Sequence, residues 1–464
     1  LASRPTTLLL FAAALMACFV LAQRVRPRAA RLRPPADPVA VGFAIGLAAA
    51  AGLLVLATYW GSEVGIGGDY RMHRMYAYQL LNGFSETHEP YRGVRGHYPP
   101  LVHTLIAVGV QLTGLTVHYA MLGLSVAVSI GVALGALRVA ALAGLSPLAA
   151  RFFAGLLVAW GGAWAFELRE FQLFLPAVQL ALPFVSRNLA LLLLLLGGEL
   201  ALAASRQPRA SGPLVVAAGG VVGLLGLTRP WEFALALLLL GAFGVVRRSR
   251  AAVGALVIAA VVSAVYWLPL ALSWLELGIH ASREIDRVVD LPTSPTLYLP
   301  LAPLLVLAAI DWRAMPLALR GCAAGLLALS LLPLAGVLAD VSGIGERLGL
   351  QGGLLKLERL GHVVALCVFG LAAFGIDRAA ARFGPRRVAA LAVAVLLLGA
   401  ATTLRVNGYF LDGEIRFPSP RWTRSAQYVR DLAGSSFYLR HLLDARRAVV
   451  VAPARLGHLT ASRK

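Results

Sequence analysis

Residues 61–100 read GSEVGIGGDYRMHRMYAYQLLNGFSETHEPYRGVRGHYPP, a polar island between two apolar runs. It holds four acids (Glu63, Asp69, Glu86, Glu89), four arginines (Arg71, Arg74, Arg92, Arg95) and three histidines (His73, His88, His97). The run before it covers 39–60 and the run after it covers 100–116. Runs of this kind belong in a bilayer core of about 30 Å. The island is therefore a loop at a membrane surface, the densest polar stretch of a chain with few places for aqueous chemistry.

The pattern repeats outward from the island. The chain has 464 residues, is 59% hydrophobic and 14% charged, and has a mean hydropathy of +0.77. Apolar runs recur at 6–23, 39–60, 100–116, 119–137, 151–166, 188–204, 213–227, 231–246, 251–272, 297–310, 316–338, 361–376 and 388–404. A shorter piece with two prolines, Pro176 and Pro183, lies at 171–184. In hydrocarbon every backbone polar group must be satisfied within its own segment, so the runs read as helices. The fold class is an all-α polytopic membrane protein.

Net charge is +20, carried almost wholly by arginine. On a soluble chain this would suggest nucleic acid. Here the arginines mark short loops between runs, which points to positive-inside topology and contact with anionic membrane lipids. No nucleic-acid partner is expected. The inside loops are then 24–38, 205–212, 247–250, 311–320 and 377–387, and the outside segments are 61–99, 228–230, 273–296, 339–360 and the tail from 405. Arg24, Arg26, Arg28, Arg31 and Arg33 follow the first run at once, so it reads as a retained span and not a cleaved signal. The three cysteines (Cys18, Cys322, Cys367) all sit in apolar runs and make neither a metal spacing nor a disulfide framework.

Parity poses a problem. Passing from outside at 99 to inside at 205 takes an odd number of crossings, yet four long runs lie between. Either 171–184 also crosses or one run is re-entrant, which gives about 12–14 spans. Of the 22 acids, only Asp37, Glu199, Asp311 and Asp377 fall in or beside inside loops. Acids do little to set topology, so their gathering on the other face suggests a site there.

Four constellations carry possible chemistry. Asp69 opens a helix of the form YRMHRMYAYQLLNG closed by Asn82-Gly83, and His73 lies four residues on, on the same face. As structure alone, Asp69 is a helix cap with His73 a solvated neighbour. The helix is too short and polar to span and reads as interfacial, with its tyrosines, Tyr76 among them, in the headgroup zone. His97-Tyr98-Pro99-Pro100 opens the next run, proline being tolerated at a helix start. Thr228-Arg229-Pro230-Trp231-Glu232 is a tight hairpin in which Arg229 is either a phosphate ligand or the partner of Glu232. Lys356, Arg359 and His362 recur at three-residue spacing before a late span, where a lipid phosphate would meet cations and helix N–H donors together.

The order of these pieces resembles the GT-C glycosyltransferases, membrane enzymes that use polyprenyl-phosphate sugars. The acid at the start of an interfacial helix, followed about 30 residues later by a Tyr-Pro-Pro-Leu span start, is similar to protein O-mannosyltransferases. Tyr266-Trp267-Leu268-Pro269 and the cationic lead into a late span look like the cell-wall galactan arabinofuranosyltransferases. The chain departs from those in its lone Asp and its short tail.

The resemblance implies a GT-C-like domain over 1–405, with 61–99 as its outer catalytic loop, and a short extracytoplasmic tail over 406–464. It implies Asp69 as general base, His73 orienting it, and Lys356, Arg359, His362 and Arg229 on the donor phosphate. Arg71, Tyr76, His97 and Tyr98 would contact substrate. The implied reaction moves a sugar from a polyprenyl-phosphate donor to a cell-envelope glycan, lipid or protein acceptor on the outer face of the cell membrane, with inversion. Some GT-C enzymes need a divalent metal; the lone Asp69 argues for none. The rival classes are a transporter or flippase of lipid-linked glycan and a non-catalytic assembly partner.

Overall fold

The computed structural model describes residues 38–60, 69–82, 99–163, 172, 175–206, 211–247, 250–276, 294–341 and 360–414. Its helices are α1 (Pro38–Tyr59), α2 (Asp69–Leu81), α3 (Leu101–Thr113), α4 (Val117–Leu142), α5 (Pro147–Ala159), α6 (Pro176–Leu180) and α7 (Ser186–Arg206). They continue as α8 (Ser211–Gly226), α9 (Pro230–Arg247), α10 (Arg250–Glu276), α11 (Ala302–Ile310), α12 (Leu317–Val341), α13 (Gly361–Phe383) and α14 (Pro385–Glu414). A 3₁₀ turn, Pro295–Leu301, leads into α11. No strand occurs among the described residues. The last helix runs to Glu414, past the expected boundary at 405. The expected first span, the amphipathic stretch Arg421 to Leu432 and the strand-like run Ala448 to Ala452 lie outside the described residues.

Six helices are long and apolar enough to cross a membrane: Pro38–Leu56, Val117–Leu142, Ser186–Ala204, Arg250–Pro269, Gly361–Phe383 and Pro385–Val406. Their composition explains their environment. On α10, Val253, Val257, Val261, Val265, Leu268 and Leu272 form an exposed stripe at helical spacing, an apolar face turned to lipid. Its other face packs on α8, where small residues let the backbones approach. A Cβ on Gly219 would stand 2.7 Å from the Ala255 carbonyl, and one on Gly223 would stand 2.5 Å from Cβ of Val262. Lipid tails are as apolar as leucine, so this close van der Waals fit is what favours helix pairing in a bilayer.

The bundle has two chemically distinct ends. At one, the turns 143–146, 311–316 and 377–384 meet. The Ser146 backbone N–H donates to Asp377 Oδ2 at 3.1 Å, and its hydroxyl donates to the same carboxylate. Arg378 Nε and Arg382 Nη2 donate to Asp311 Oδ2 at 2.7 and 3.3 Å. Two loops expected on the basic side, 311–320 and 377–387, thus sit together. At the other end, Tyr59 closes α1 and His118 opens α4, joined by His118 Nε2 to the Tyr59 carbonyl at 2.9 Å.

This pairing corrects the expected span at 100–116. The helix α3 has 13 residues, about 20 Å at 1.5 Å per residue. It begins beside the α8–α9 turn, where the Leu101 N–H donates to the Leu227 carbonyl at 3.1 Å. It ends at Gly114, left-handed at φ 71°, three residues before α4 starts next to Tyr59. Both ends lie in the same half of the bundle, so α3 does not cross. Nor does α6, five residues long. One run is therefore re-entrant, and the described helices that remain between 99 and 205 number three: α4 and α7, both long enough to span, and the shorter α5.

Candidate functional site

The half of the bundle that holds Tyr59 carries the polar constellations. Asp69 is the first residue of α2. Its side chain and that of Arg71 lie outside the described detail, as do His97, Tyr98, Lys356 and Arg359. The remaining candidates, His73, Tyr76, Arg229 and His362, are all placed.

Two imidazole contacts hold α2 against the bundle. The Tyr70 hydroxyl meets His118 Nδ1 in a short hydrogen bond. Because His118 Nε2 must donate to the Tyr59 carbonyl, a neutral ring leaves Nδ1 as acceptor and makes the tyrosine the donor. One step along, His73 Nδ1 lies 2.8 Å from His103 Nε2, with the rings stacked at 28°. Tyr76 packs edge-on against His103, centroids 5.0 Å apart. His73, Tyr76 and His103 are all buried. His73 is not the solvated neighbour of the structure-alone reading, and Tyr76 is not in the headgroup zone: both turn inward, because α3 lies beneath α2. Arg74 lies over the Tyr78 ring at 5.7 Å on the less buried side.

A second cluster joins the starts of α9 and α13. Arg229 Nε lies 2.7 Å from Glu232 Oε1, and His362 Nε2 lies 3.3 Å from the same oxygen. Glu232 is fully buried, and Arg229 and His362 are nearly so. The sequence places them here for local reasons. Arg229 N–H caps the end of α8 by donating to the Leu225 carbonyl at 2.7 Å, and Pro230 then starts α9 at once. That puts Glu232 in the first turn of α9, where the helix dipole favours an anion. Trp267 steadies the hairpin from α10 by donating Nε1–H to the Gly226 carbonyl at 2.9 Å.

The two clusters are neighbours. The Leu101–Leu227 hydrogen bond fixes the start of α3, two residues from His103, to the turn two residues from Arg229. Two of the four phosphate candidates, Arg229 and His362, are thus brought onto one carboxylate from segments far apart in sequence. Of the two readings of Arg229, the structure shows the pairing with Glu232. His103, His118 and Glu232 were not singled out from sequence as site residues. Their signal was an ionisable group inside an apolar helix or at its start, which hydrocarbon tolerates only with a partner. No group of three or more His, Cys, Asp or Glu among the described residues is placed to hold a metal ion.

Fold and site together describe a multi-pass helical membrane protein with a buried mixed-charge cluster and a histidine-pinned helix at one end. No family model and no curated protein matches the chain. Among solved structures, ArnT from Cupriavidus metallidurans bound to undecaprenyl phosphate matches with a TM-score of 0.52 and 14% identity, covering 90% of this chain and 85% of that one. The apo form of ArnT matches with a TM-score of 0.52 and 15% identity, over 92% and 84%. An Archaeoglobus fulgidus oligosaccharyltransferase tethered to an acceptor peptide matches at 0.47 and 12%, over 90% of this chain and 62% of that one. At such identities the likeness is one of fold. The chain has the fold of the GT-C membrane glycosyltransferases.

Proposed function

We propose that this chain is a membrane glycosyltransferase that moves a sugar from a polyprenyl-phosphate donor to a cell-envelope glycan, lipid or protein acceptor. The observation that carries the reading is the convergence of Arg229 and His362 on buried Glu232, at the end of a GT-C bundle where Asp69 begins α2. ArnT, which shares the fold, has been captured with undecaprenyl phosphate.

In this mechanism an acceptor hydroxyl oxygen attacks the anomeric carbon while Asp69 takes its proton. Base catalysis of this kind contributes about 10²–10⁴-fold. The bond from the anomeric carbon to the phosphate oxygen breaks, and its electron pair stays on the lipid monophosphate. A single displacement inverts the anomeric centre. The charge that develops on the leaving phosphate meets Arg229 and His362, joined by Lys356 and Arg359 from the segment before α13. Cations preorganised where charge develops stabilise the transition state without reorganising, and a guanidinium fork matches phosphate geometry.

His73 acts on the position of α2, and so of Asp69, through its bond to His103. Arg71, Tyr76, His97 and Tyr98 contact substrate, Tyr76 from its place against the His103 ring. The end that holds Arg313, Arg320, Arg378 and Arg382 faces the cytoplasm, and the reaction runs on the extracytoplasmic side.

The test supplies membranes containing the full chain with a panel of radiolabelled polyprenyl-phosphate sugars. Label appearing in any non-donor product supports the reading and names the sugar. Movement of intact donor across the bilayer without transfer would instead favour the flippase class.

A further inference from the structure

Glu232 is fully buried, and the proposed reaction gives it no step. Its Oε1 lies at ion-pair distance from Arg229 and His362, and neither carboxylate oxygen has a hydrogen-bond partner among the described residues. A carboxylate kept in such a place is costly unless paired, and breaking the pair would leave an uncompensated buried charge. Arg229 therefore cannot leave Glu232 to follow a ligand. The contact is made through Nε, the inner edge of the guanidinium, and one carboxylate oxygen does not exhaust its five N–H donors. His362 reaches the same oxygen from the start of another helix.

We propose that Glu232 is a positioning residue for the donor phosphate. It holds Arg229 by Nε and His362 by Nε2, so that the remaining Arg229 N–H groups are presented as a fixed fork to the lipid monophosphate. This deepens the proposed function and rests on it. Simple charge counting says the opposite: an anion beside the site should repel phosphate, and removing it should tighten binding. The two accounts therefore differ in the sign of one measurement. Geometry favours positioning, because a guanidinium released from Glu232 would have to be ordered by the ligand itself, at a cost in side-chain entropy.

The probe is undecaprenyl phosphate, binding to the detergent-solubilised full chain, with wild type, Glu232→Gln, Arg229→Gln and the double variant compared. Glutamine keeps the shape of Glu232 and removes its charge. Glu232→Gln should weaken binding by about 30-fold or more, the scale expected when one partner of a buried charge pair is lost. In the Arg229→Gln background its loss should be smaller, leaving only the part that Glu232 exerts through His362; a merely structural role would add its full loss in both backgrounds. Unchanged or tighter binding by Glu232→Gln, or an undiminished loss in the double variant, would overturn the proposal. If Glu232→Gln does not fold, Arg229→Lys reads the same claim. Lysine keeps the charge, but its point charge cannot replace a fork that spans carboxylate and phosphate, so at least tenfold weaker binding is expected, and wild-type affinity would contradict it. Absence of binding by wild type would instead count against the donor assignment itself.

Discussion

Leu101 donates its backbone N–H to the carbonyl of Leu227 at 3.1 Å, and this bond joins the helix entered through Pro99 and Pro100 to the turn that carries Arg229. It draws the polar island and the α8–α9 hairpin into one half of the bundle. Because the other end of α3, at Gly114, lies three residues before α4 begins beside Tyr59, the bond also keeps both ends of α3 in that half.

The re-entrant placement of α3 gives a topology test. In a cysteine-free background, Trp60→Cys and Leu115→Cys, both at exposed positions, should react with an impermeant thiol reagent from the same side of the membrane. Arg313→Cys, in the turn among the arginines, should react from the other side. Labelling of position 115 together with position 313 would return α3 to the list of crossings.

The His118 bridge should contribute to stability rather than chemistry. His118→Phe keeps ring volume but removes the hydrogen bonds to the Tyr59 carbonyl and the Tyr70 hydroxyl. Loss of a hydrogen bond within the protein costs about 0.5–1.5 kcal/mol. The thermal midpoint of the purified protein should fall, and an unchanged midpoint would count against the bridge.

Close helix approach makes a sharper steric prediction. A Cβ on Gly375 would stand 2.1 Å from the Leu304 carbonyl oxygen, whereas one on Gly198 meets nothing within 4 Å. Gly375→Ala should force α11 and α13 apart and lower the yield of folded protein, and Gly198→Ala should not. Equal yields would contradict the packing of these two helices.

At the basic end, pH should act through Asp311. The hydrogen bond from Arg378 holds its carboxyl below the ordinary value of 3.8, helped by the charges of Arg378 and Arg382. A depressed folded-state value means stability that is complete above the ordinary carboxylate range and lost as pH falls through it. The midpoint difference between wild type and Asp311→Asn should therefore be present near about pH 6 and shrink below about pH 4. A difference that grows on acidification would contradict the sign.

The spans were legible because bilayer length and apolar composition determine them, and the two basic loops 311–320 and 377–387 were legible from arginine alone. The re-entrant run was visible only as a parity fault. Thirteen apolar residues have the same composition whether they cross or lie across the bundle, and what decides is a tertiary bond, Leu101 to Leu227. Arg229 and His362 were legible as cations at span starts. Their meeting on Glu232 was not, because no sequence spacing relates the starts of α9 and α13. His103 and His118 escaped for a similar reason: each reads as one polar residue in an apolar helix until its partner on α2 is known.

In the proposed reaction a sugar leaves a lipid phosphate on this chain with Asp69 as the base. The most direct measurement follows polyprenyl monophosphate released and sugar transferred in the same reaction, for wild type and for Asp69→Asn verified as folded and inserted. Wild type should release one monophosphate for each sugar transferred, and Asp69→Asn should form both products slower by about 10²-fold or more. Full activity in Asp69→Asn, or sugar transfer without release of the monophosphate, would contradict that reaction.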